Sequence, residues 1–395
     1  MKKIFSFLLL AVAAMTVSAQ TEQSSTPAAD PWTVASQLLQ AEIHAQRSAG
    51  KIQNTCLSPL SLEMALAMAA EGASAQTADE LRSLIPANLP KLYRQLLRDG
   101  STLSAANSIW INQEIAKSVK KKFLKRNRRK YGAEVTRLVF DPAAVVRINQ
   151  WCNLKTRGLI PSIIGQLERD DQMVLINALH FKTDWEDEFE ADRTHPRPFH
   201  LSGGGQEIVP MMTQTQHWAY TEDEYCQAIR LPYRHNEGDK TAYAMYILLP
   251  RKNVPVLEFI DNQLSAEYWR SLSFGMPRQV RLQLPKWESQ YSTSLVRPLQ
   301  EMGIRRIFTP QAQFPGISRT PLMVGDILQK TFIRVDEKGT EAAAVTAVMM
   351  KLTSAGPNQN QPIEMNVNRP FLYLLVETTT QTPVFVGLML NPKEK

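Results

Sequence analysis

The stretch Val335-Asp336-Glu337-Lys338-Gly339-Thr340-Glu341-Ala342-Ala343-Ala344-Val345-Thr346-Ala347-Val348 carries two local preferences that disagree. Three consecutive alanines after Thr340, with Glu341 placed for a first turn, suit a helix start. Val345, Thr346 and Val348 are β-branched and favour a strand. Gly339 permits a backbone turn that a residue with Cβ resists. Bulk rises only from Val348 to Met349 and Met350, and the segment from Lys351 to Pro362 has the Gly, Pro, Asn and Ser content of an exposed loop. A strand-competent arm of small residues thus leads into a solvated tip.

On a strand, the side chains of this arm would alternate between two faces. Thr340, Ala342, Ala344, Thr346, Val348 and Met350 would turn one way, and Glu341, Ala343, Val345, Ala347 and Met349 the other. The first set fits a core: its early members are small enough to slip between neighbours and its later members large enough to seal. Glu341 falls on the opposite, solvent-facing set. No proline occurs from Val335 to Gly356, so nothing in the arm forbids ladder hydrogen bonds.

Glu337 to Thr346 closely match the hinge of a serpin reactive loop, in which an acid, a basic residue, Gly, Thr and then small residues follow in turn. Other patterns stand in the family's order. Asn54-Thr55-Cys56-Leu57-Ser58-Pro59-Leu60-Ser61-Leu62, followed by Ala65-Leu66-Ala67-Met68, resembles the second helix. Leu175-Ile176-Asn177-Ala178-Leu179-His180-Phe181-Lys182 with Trp185 resembles the third strand of the large sheet, and Val209-Pro210-Met211-Met212 has the expected place after it. Leu284-Pro285-Lys286, Met302-Gly303-Ile304, Asn368-Arg369-Pro370-Phe371, Pro383-Val384-Phe385-Val386-Gly387 and Asn391-Pro392 complete the order. The resemblance runs from about Trp32 to the C-terminus.

The resemblance implies an α+β fold: helices packed around three β-sheets, with a large central sheet and an exposed reactive-centre loop over about 337–366. It implies a serine-type endopeptidase inhibitor acting as a suicide substrate, which traps a target serine protease in a covalent 1:1 complex when the cleaved arm inserts into the large sheet. The hinge would be Glu337, Gly339, Thr340, Ala342, Ala343, Ala344, Val345 and Thr346. Ser58, Ser61 and Asn177 match the polar cluster under the sheet's centre, the shutter, and Gln329 stands there where the family commonly has His. An amide still donates and accepts, but it does not titrate near neutral pH. Trp185 matches the aromatic of the breach, where insertion begins, and Lys286 with Glu337 match an ion pair there. The alternative is a non-inhibitory serpin-fold binding, storage or chaperone protein; such members often carry bulky, charged or proline residues in the hinge, so the composition here favours inhibition.

Two arguments place the reactive bond differently. The family's spacing from the hinge acid points to Thr353-Ser354, whereas Lys351 is the basic residue of the loop tip and a trypsin-like pocket would choose Lys351-Leu352. Met350 and Leu352 suit chymotrypsin-like or subtilisin-like enzymes and Thr353 an elastase-like pocket. The expectation is a broad-spectrum inhibitor with Lys351 as its trypsin-like site, and cysteine proteases remain open as targets.

The rest of the chain bounds these expectations. Its 395 residues are 44 % hydrophobic with seven Trp and no evident linker, which points to one large domain over 32–395. Lys2 and Lys3, an apolar run from Ile4 to Val17 and the small Ala19 have the layout of a bacterial secretory signal over 1–19, too short for the roughly 20 apolar residues of a membrane span. The exported protein would be secreted, periplasmic or on the cell surface. Residues 20–31 form a polar tail of the kind that stays disordered. Cys56, Cys152 and Cys226, odd in number and with apolar neighbours, are expected to be small core residues rather than a disulfide framework.

No HExxH, CxxC or GxSxG pattern is present, so no catalytic residue, metal or cofactor is expected. Gly203-Gly204-Gly205 lacks the Lys-Ser/Thr of a phosphate loop and suits a hairpin turn between Phe199 and Ile208. Charge is concentrated between Lys117 and Lys130, nine positive residues without an acid in a chain of net charge +7. Phe123, Leu124 and Tyr131 interrupt the run as the apolar side of a helix would. Lys120, Lys121, Lys122, Lys125, Arg126, Arg128, Arg129 and Lys130 are then either a solvated helix face or a dock for a polyanion such as a sulfated glycan, surface polysaccharide or nucleic acid. A monomer is expected.

Overall fold

The computed structural model describes residues 29–87, 89–96, 102–167, 171–235, 241–340 and 361–394. The leader expected over 1–19 lies outside them, as does most of the tail. The expected end of that tail at 31 is displaced by local chemistry. Asp30 accepts the Thr33 amide N–H at 2.9 Å as an N-cap, and Pro31 opens the helix where its missing N–H costs nothing.

That helix is α1 (Pro31–Ser48), followed by β1 (Thr55–Leu57), α2 (Pro59–Ala70), α3 (Ala75–Arg82) and α4 (Leu89–Leu96). Strand β2 (Leu103–Asn112), α5 (Lys121–Tyr131), β3 (Glu134–Leu138) and α6 (Pro142–Lys155) come next. Then β4 (Met173–Phe181), β5 (Thr183–Asp184), β6 (His195–His200), β7 (Gln206–Glu222), β8 (Cys226–Pro232) and β9 (Tyr243–Pro250) lead to α7 (Val256–Asn262) and α8 (Ala266–Ser271). The chain closes with β10 (Arg278–Pro285), β11 (Trp287–Ser294), α9 (Val296–Glu301), β12 (Leu328–Val335), β13 (Gly339–Thr340), β14 (Ile363–Asn366), β15 (Phe371–Glu377) and β16 (Thr382–Met389).

Among the described residues these strands form three sheets. The largest has nine strands in the order β1-β16-β15-β9-β8-β7-β10-β14, with β6 on β7. Strands β9, β15 and β16 are buried along their whole length, so they can be continuous apolar runs such as Tyr-Ala-Met-Tyr-Ile-Leu-Leu. The turn expected at Gly203–Gly205 joins β6 to β7, with positive φ at Gly204 and Gly205. The stretch from Asn54 expected as a helix is strand first: Thr55–Leu57 pair with β16, and Ser58 and Pro59 then start α2.

The other two sheets are the halves of the sheet expected to accept the arm. One runs β11-β12-β13-β5 and the other β3-β2-β4. Only Lys182 separates β4 from β5, and its amide N–H donates to the Thr102 carbonyl at 2.9 Å on the β2 side. The chain therefore crosses from one half to the other at this point. Below it, β4 has β2 as its partner and β12 has β11, with no ladder between β4 and β12 among the described residues. The expected loop bounds of 337–366 also narrow: Gly339–Thr340 and Ile363–Asn366 are strands, because each finds a partner edge.

Candidate functional site

The site is the junction where β13 enters between the two halves. Thr340 pairs with Val335 of β12 on one side and Thr183 of β5 on the other, and Gly339 pairs with Asp184. At Gly339 a Cβ would sit 2.2 Å from the Thr183 carbonyl oxygen and 2.6 Å from the Asp184 Cα. Close backbone approach therefore requires glycine here. Thr340 is buried, and its Oγ1 lies 2.5 Å from the Tyr233 phenolic oxygen. Burial pushes the Tyr233 hydroxyl far above its ordinary range, while Thr340 acts weakly the other way. The pair stays neutral and satisfied, which a buried hydroxyl needs.

Trp185 closes the junction from the side. Its ring, 1 % exposed, stacks on Tyr233 at 4.4 Å with an interplanar angle of 9° and meets Phe189 edge-on. Its Nε1 donates to the Asp336 carbonyl at 2.9 Å and its amide N–H to the Lys338 carbonyl at 2.7 Å, while the Phe189 amide donates to the Glu337 carbonyl at 2.8 Å. The turn Asp336–Gly339 is thus held by backbone bonds from one aromatic segment. Lys286 Nζ lies 2.6 Å from Glu337 Oε2. Burial alone would raise the Glu337 carboxyl, but the hydrogen bond and charge of Lys286 prevail and hold it below the ordinary carboxylate value.

The expected shutter residues form two clusters rather than one. Ser58 and Gln329 make a reciprocal pair: the Ser58 amide N–H donates to Gln329 Oε1 at 2.9 Å, and Gln329 Nε2 donates to the Ser58 carbonyl at 2.9 Å. Ser58 Oγ donates to the Val384 carbonyl at 2.8 Å and accepts the Ser61 amide N–H at 3.2 Å, so Ser61 enters through its backbone. Asn177 is apart from them. Its Nδ2 donates to Asn107 Oδ1 at 2.9 Å across the β2–β4 ladder, and Asn107 in turn donates to Tyr93 and to the Tyr131 carbonyl. One cluster pins the β12 edge and the other pins the β4 edge.

Of the hinge, Glu337, Gly339 and Thr340 are described, whereas Ala342, Ala343, Ala344, Val345 and Thr346 lie outside the described residues, as do Met350, Lys351, Leu352, Thr353 and Ser354. Tyr233, Thr183 and Asp184 belong to the junction and carried no signal in the sequence. Tyr233 sits in an unremarkable Leu-Pro-Tyr-Arg, and a two-residue strand such as Thr183–Asp184 shows no periodicity.

The basic run is helix α5, ended by Gly132 in the left-handed region at φ 64°. Phe123, Leu124, Asn127 and Tyr131 point inward, while Lys120, Lys121, Lys122, Lys125, Arg128 and Arg129 are exposed. Glu71 takes up two of the charges, with Lys130 at 2.6 Å and Arg126 at 3.9 Å. A cavity of about 400 Å3 opens beside the helix, with Arg94, Arg128, Arg129 and Lys155 on its wall. Glu134 also lines it and pairs with Lys155 at 2.6 Å.

Comparison with known proteins gives a consistent result. The family model described as "Serpin (serine protease inhibitor)" matches residues 33–392. An uncharacterised serpin-like protein of Thermococcus kodakarensis is 34 % identical over 365 residues, 88 % of this chain and 82 % of that one. Alpha-1-antichymotrypsin of Pongo abelii is 31 % identical over 362 residues, covering 87 % and 84 %. The crystal structure of tengpin, a thermophilic serpin, in its native state superposes with a TM-score of 0.79 at 30 % identity, over 91 % of this chain and 93 % of that one.

The Glu337 carboxyl sits below its unfolded value, so the pair contributes stability above the ordinary glutamate pKa of about 4.3, and that contribution is lost as pH falls through the depressed folded value. Glu337→Gln is expected to lower stability by about 1 kcal/mol near neutral pH, with the gap to wild type closing in acid. Thermal melts across the acid range check this; a gap that does not change with pH would contradict it.

Proposed function

The chain belongs to the serpin family, and from that premise we propose that it inhibits serine proteases as a suicide substrate, its loop cut and its arm inserted between β12 and β4. Serpins are in general protease inhibitors rather than enzymes. What supports the reading most is the pair of registers at Thr340. Continued down both edges without a bulge, they set Ala342 opposite Ile333 and Phe181, Ala344 opposite Thr331 and Leu179, and Thr346 opposite Gln329 and Asn177. Ile333, Phe181, Thr331, Leu179 and Gln329 are all buried. The small even-numbered residues of the arm would therefore meet the core face, and Thr346 would arrive between the two polar clusters that pin the edges. Met350 would reach Met173, the first residue of β4.

In the proposed reaction the protease serine attacks the carbonyl of the reactive residue. The downstream segment leaves as the amine, and an ester joins the protease to the arm. Water would complete hydrolysis of an ordinary substrate. Insertion runs first here, carrying the ester to the far end of the sheet, about 35 Å away for eleven residues at 3.3 Å each. Filling the slot adds a strand's worth of backbone hydrogen bonds, on the order of 10 kcal/mol at about 1 kcal/mol each. The intact form withholds that energy and persists behind a barrier. A cut after Lys351 leaves an arm that ends one residue past Met350, which matches the length of the β4 edge and favours Lys351-Leu352 over Thr353-Ser354 for trypsin-like targets.

Mixing the chain with trypsin, elastase and subtilisin in turn is expected to give a complex stable in SDS whose mass is one protease plus the chain up to the cut. The released peptide should begin at Leu352 with trypsin, and Lys351→Ala should abolish trypsin trapping. Clean cleavage with no adduct would leave the loop a mere substrate and favour the storage or binding reading.

The same registers bring Glu341, on the outward face, between Arg334 and Lys182. Glu341→Lys would place like charges across both pairs, costing roughly 0.2–1 kcal/mol each. Slower insertion should raise the fraction of inhibitor consumed as substrate, measured as the stoichiometry of inhibition; an unchanged stoichiometry would contradict the register.

We further propose that the exposed face of α5 docks a polyanion, supported by the basic cavity beside it and by Lys121, Lys122, Lys125, Arg128 and Arg129, which form no ion pair among the described residues. Heparin affinity should fall steeply with salt and drop further in Lys121→Ala with Arg128→Ala. Binding that ignores salt, or survives both substitutions, would exclude the patch.

A further inference from the structure

At the opposite edge of the nine-stranded sheet, a cavity of about 390 Å3 lies between the ends of β8 and β9, strand β14 and the turn that follows it. Two arginines converge on it. Arg369 donates through Nε and Nη2 to the Pro250 carbonyl, at 3.0 and 2.7 Å, and has no carboxylate partner among the described residues. Arg251 donates through Nε and Nη2 to the Asp223 carbonyl and through Nη2 to Glu222 Oε2 at 2.9 Å. In both side chains Nη1 forms no hydrogen bond among the described residues. Exposed Lys252 adds a third cation to the wall, while the carboxylate of Glu364 lies 3.8 Å from Arg281.

Like charges so placed repel. Burial lowers the Arg369 guanidinium from its ordinary value and the charge of Arg251 lowers it further. An anion between them would remove that penalty, and a guanidinium pair is the arrangement that recognises phosphate or carboxylate oxygens. The remaining wall is amide: Gln227, Asn253, Asn366 and Asn368. Asn366 Oδ1 is buried with no hydrogen-bond partner among the described residues.

We propose that this cavity binds an acidic sugar, a hexose-sized body whose phosphate or carboxylate group sits on Arg251, Lys252 and Arg369 and whose hydroxyls meet the amides. The volume suits a ligand of that size. The site does not depend on protease trapping. Its occupant would bridge β14, an edge strand that among the described residues pairs with β10 alone, to the ends of β8 and β9.

Calorimetric titration of the full chain with glucose 6-phosphate, glucuronate, glucose and inorganic phosphate tests the assignment. One or both acidic sugars should bind saturably, which also tells phosphate from carboxylate; glucose should not bind, and inorganic phosphate should bind at least about tenfold more weakly. Arg251→Gln with Lys252→Ala should weaken sugar binding by roughly tenfold or more, the loss of a charge-assisted hydrogen bond. Trapping of trypsin without ligand should be unchanged in that variant. Hydrogen exchange at Ile363–Asn366 should slow in the presence of the sugar. No saturable binding of either acidic sugar at about 10 mM, equal binding by inorganic phosphate, or equal affinity in the variant would overturn the proposal.

Discussion

Among the described residues β13 pairs with β12 on one side and with β5, the continuation of β4 past Lys182, on the other, and the junction depends on that one short strand. A sheet edge is a row of unpaired donors and acceptors, and most proteins cover or blunt it. In the proposed mechanism the β4 and β12 edges flank one slot, and β13 stands at its head between β12 and β5. Gly339 and Thr340 fit because one has no side chain to clash with Thr183 and the other has a hydroxyl that Tyr233 satisfies. What happens below Thr340 depends on whether the next residues can follow.

In the proposed mechanism the surroundings would oppose that progress before cleavage. Trp185, Tyr233 and the Lys286–Glu337 pair fix the turn above the slot, while Ser58 with Gln329 and Asn107 with Asn177 fix its two walls. These are neutral hydrogen bonds apart from one ion pair. The family's usual histidine would add a titratable group at the wall; Gln329 instead makes two backbone bonds to Ser58 that do not change near neutral pH. Under the proposed mechanism, control of this slot would be mechanical and set by packing.

Much of this was legible in the chain because it is written in residue types with one purpose. Gly339 and Thr340 are such residues, and both lie in β13, whereas the alanines and β-branched residues that follow lie outside the described residues. The amphipathic pattern of α5 likewise announces itself, whereas the start of α2 at Ser58-Pro59 was not read from the stretch beginning at Asn54. What stayed hidden is contact at long range. Nothing in the sequence ties Tyr233 to Thr340, 107 residues apart, or separates Asn177 from Ser58. The separation of β11-β12-β13-β5 from β3-β2-β4 was equally unreadable, since period-two patterns give each strand its faces but not its neighbours. The two arginines at the cavity beside β14, Arg251 and Arg369, come from separate chain segments and were assigned no role from the sequence.

The central claim is that the slot between β4 and β12 is filled by the arm once the loop is cut. Calorimetry on the intact chain and on the chain nicked in the loop, with both fragments retained, tests this most directly. Insertion worth on the order of 10 kcal/mol should raise the melting temperature of the nicked form by roughly 13 °C, at about 1.3 °C per kcal/mol when an unfolding entropy of about 2.1 cal/mol/K per residue is taken over about 360 residues. A nicked form that melts at or below the temperature of the intact chain would mean that the arm stays out, and the account would fail.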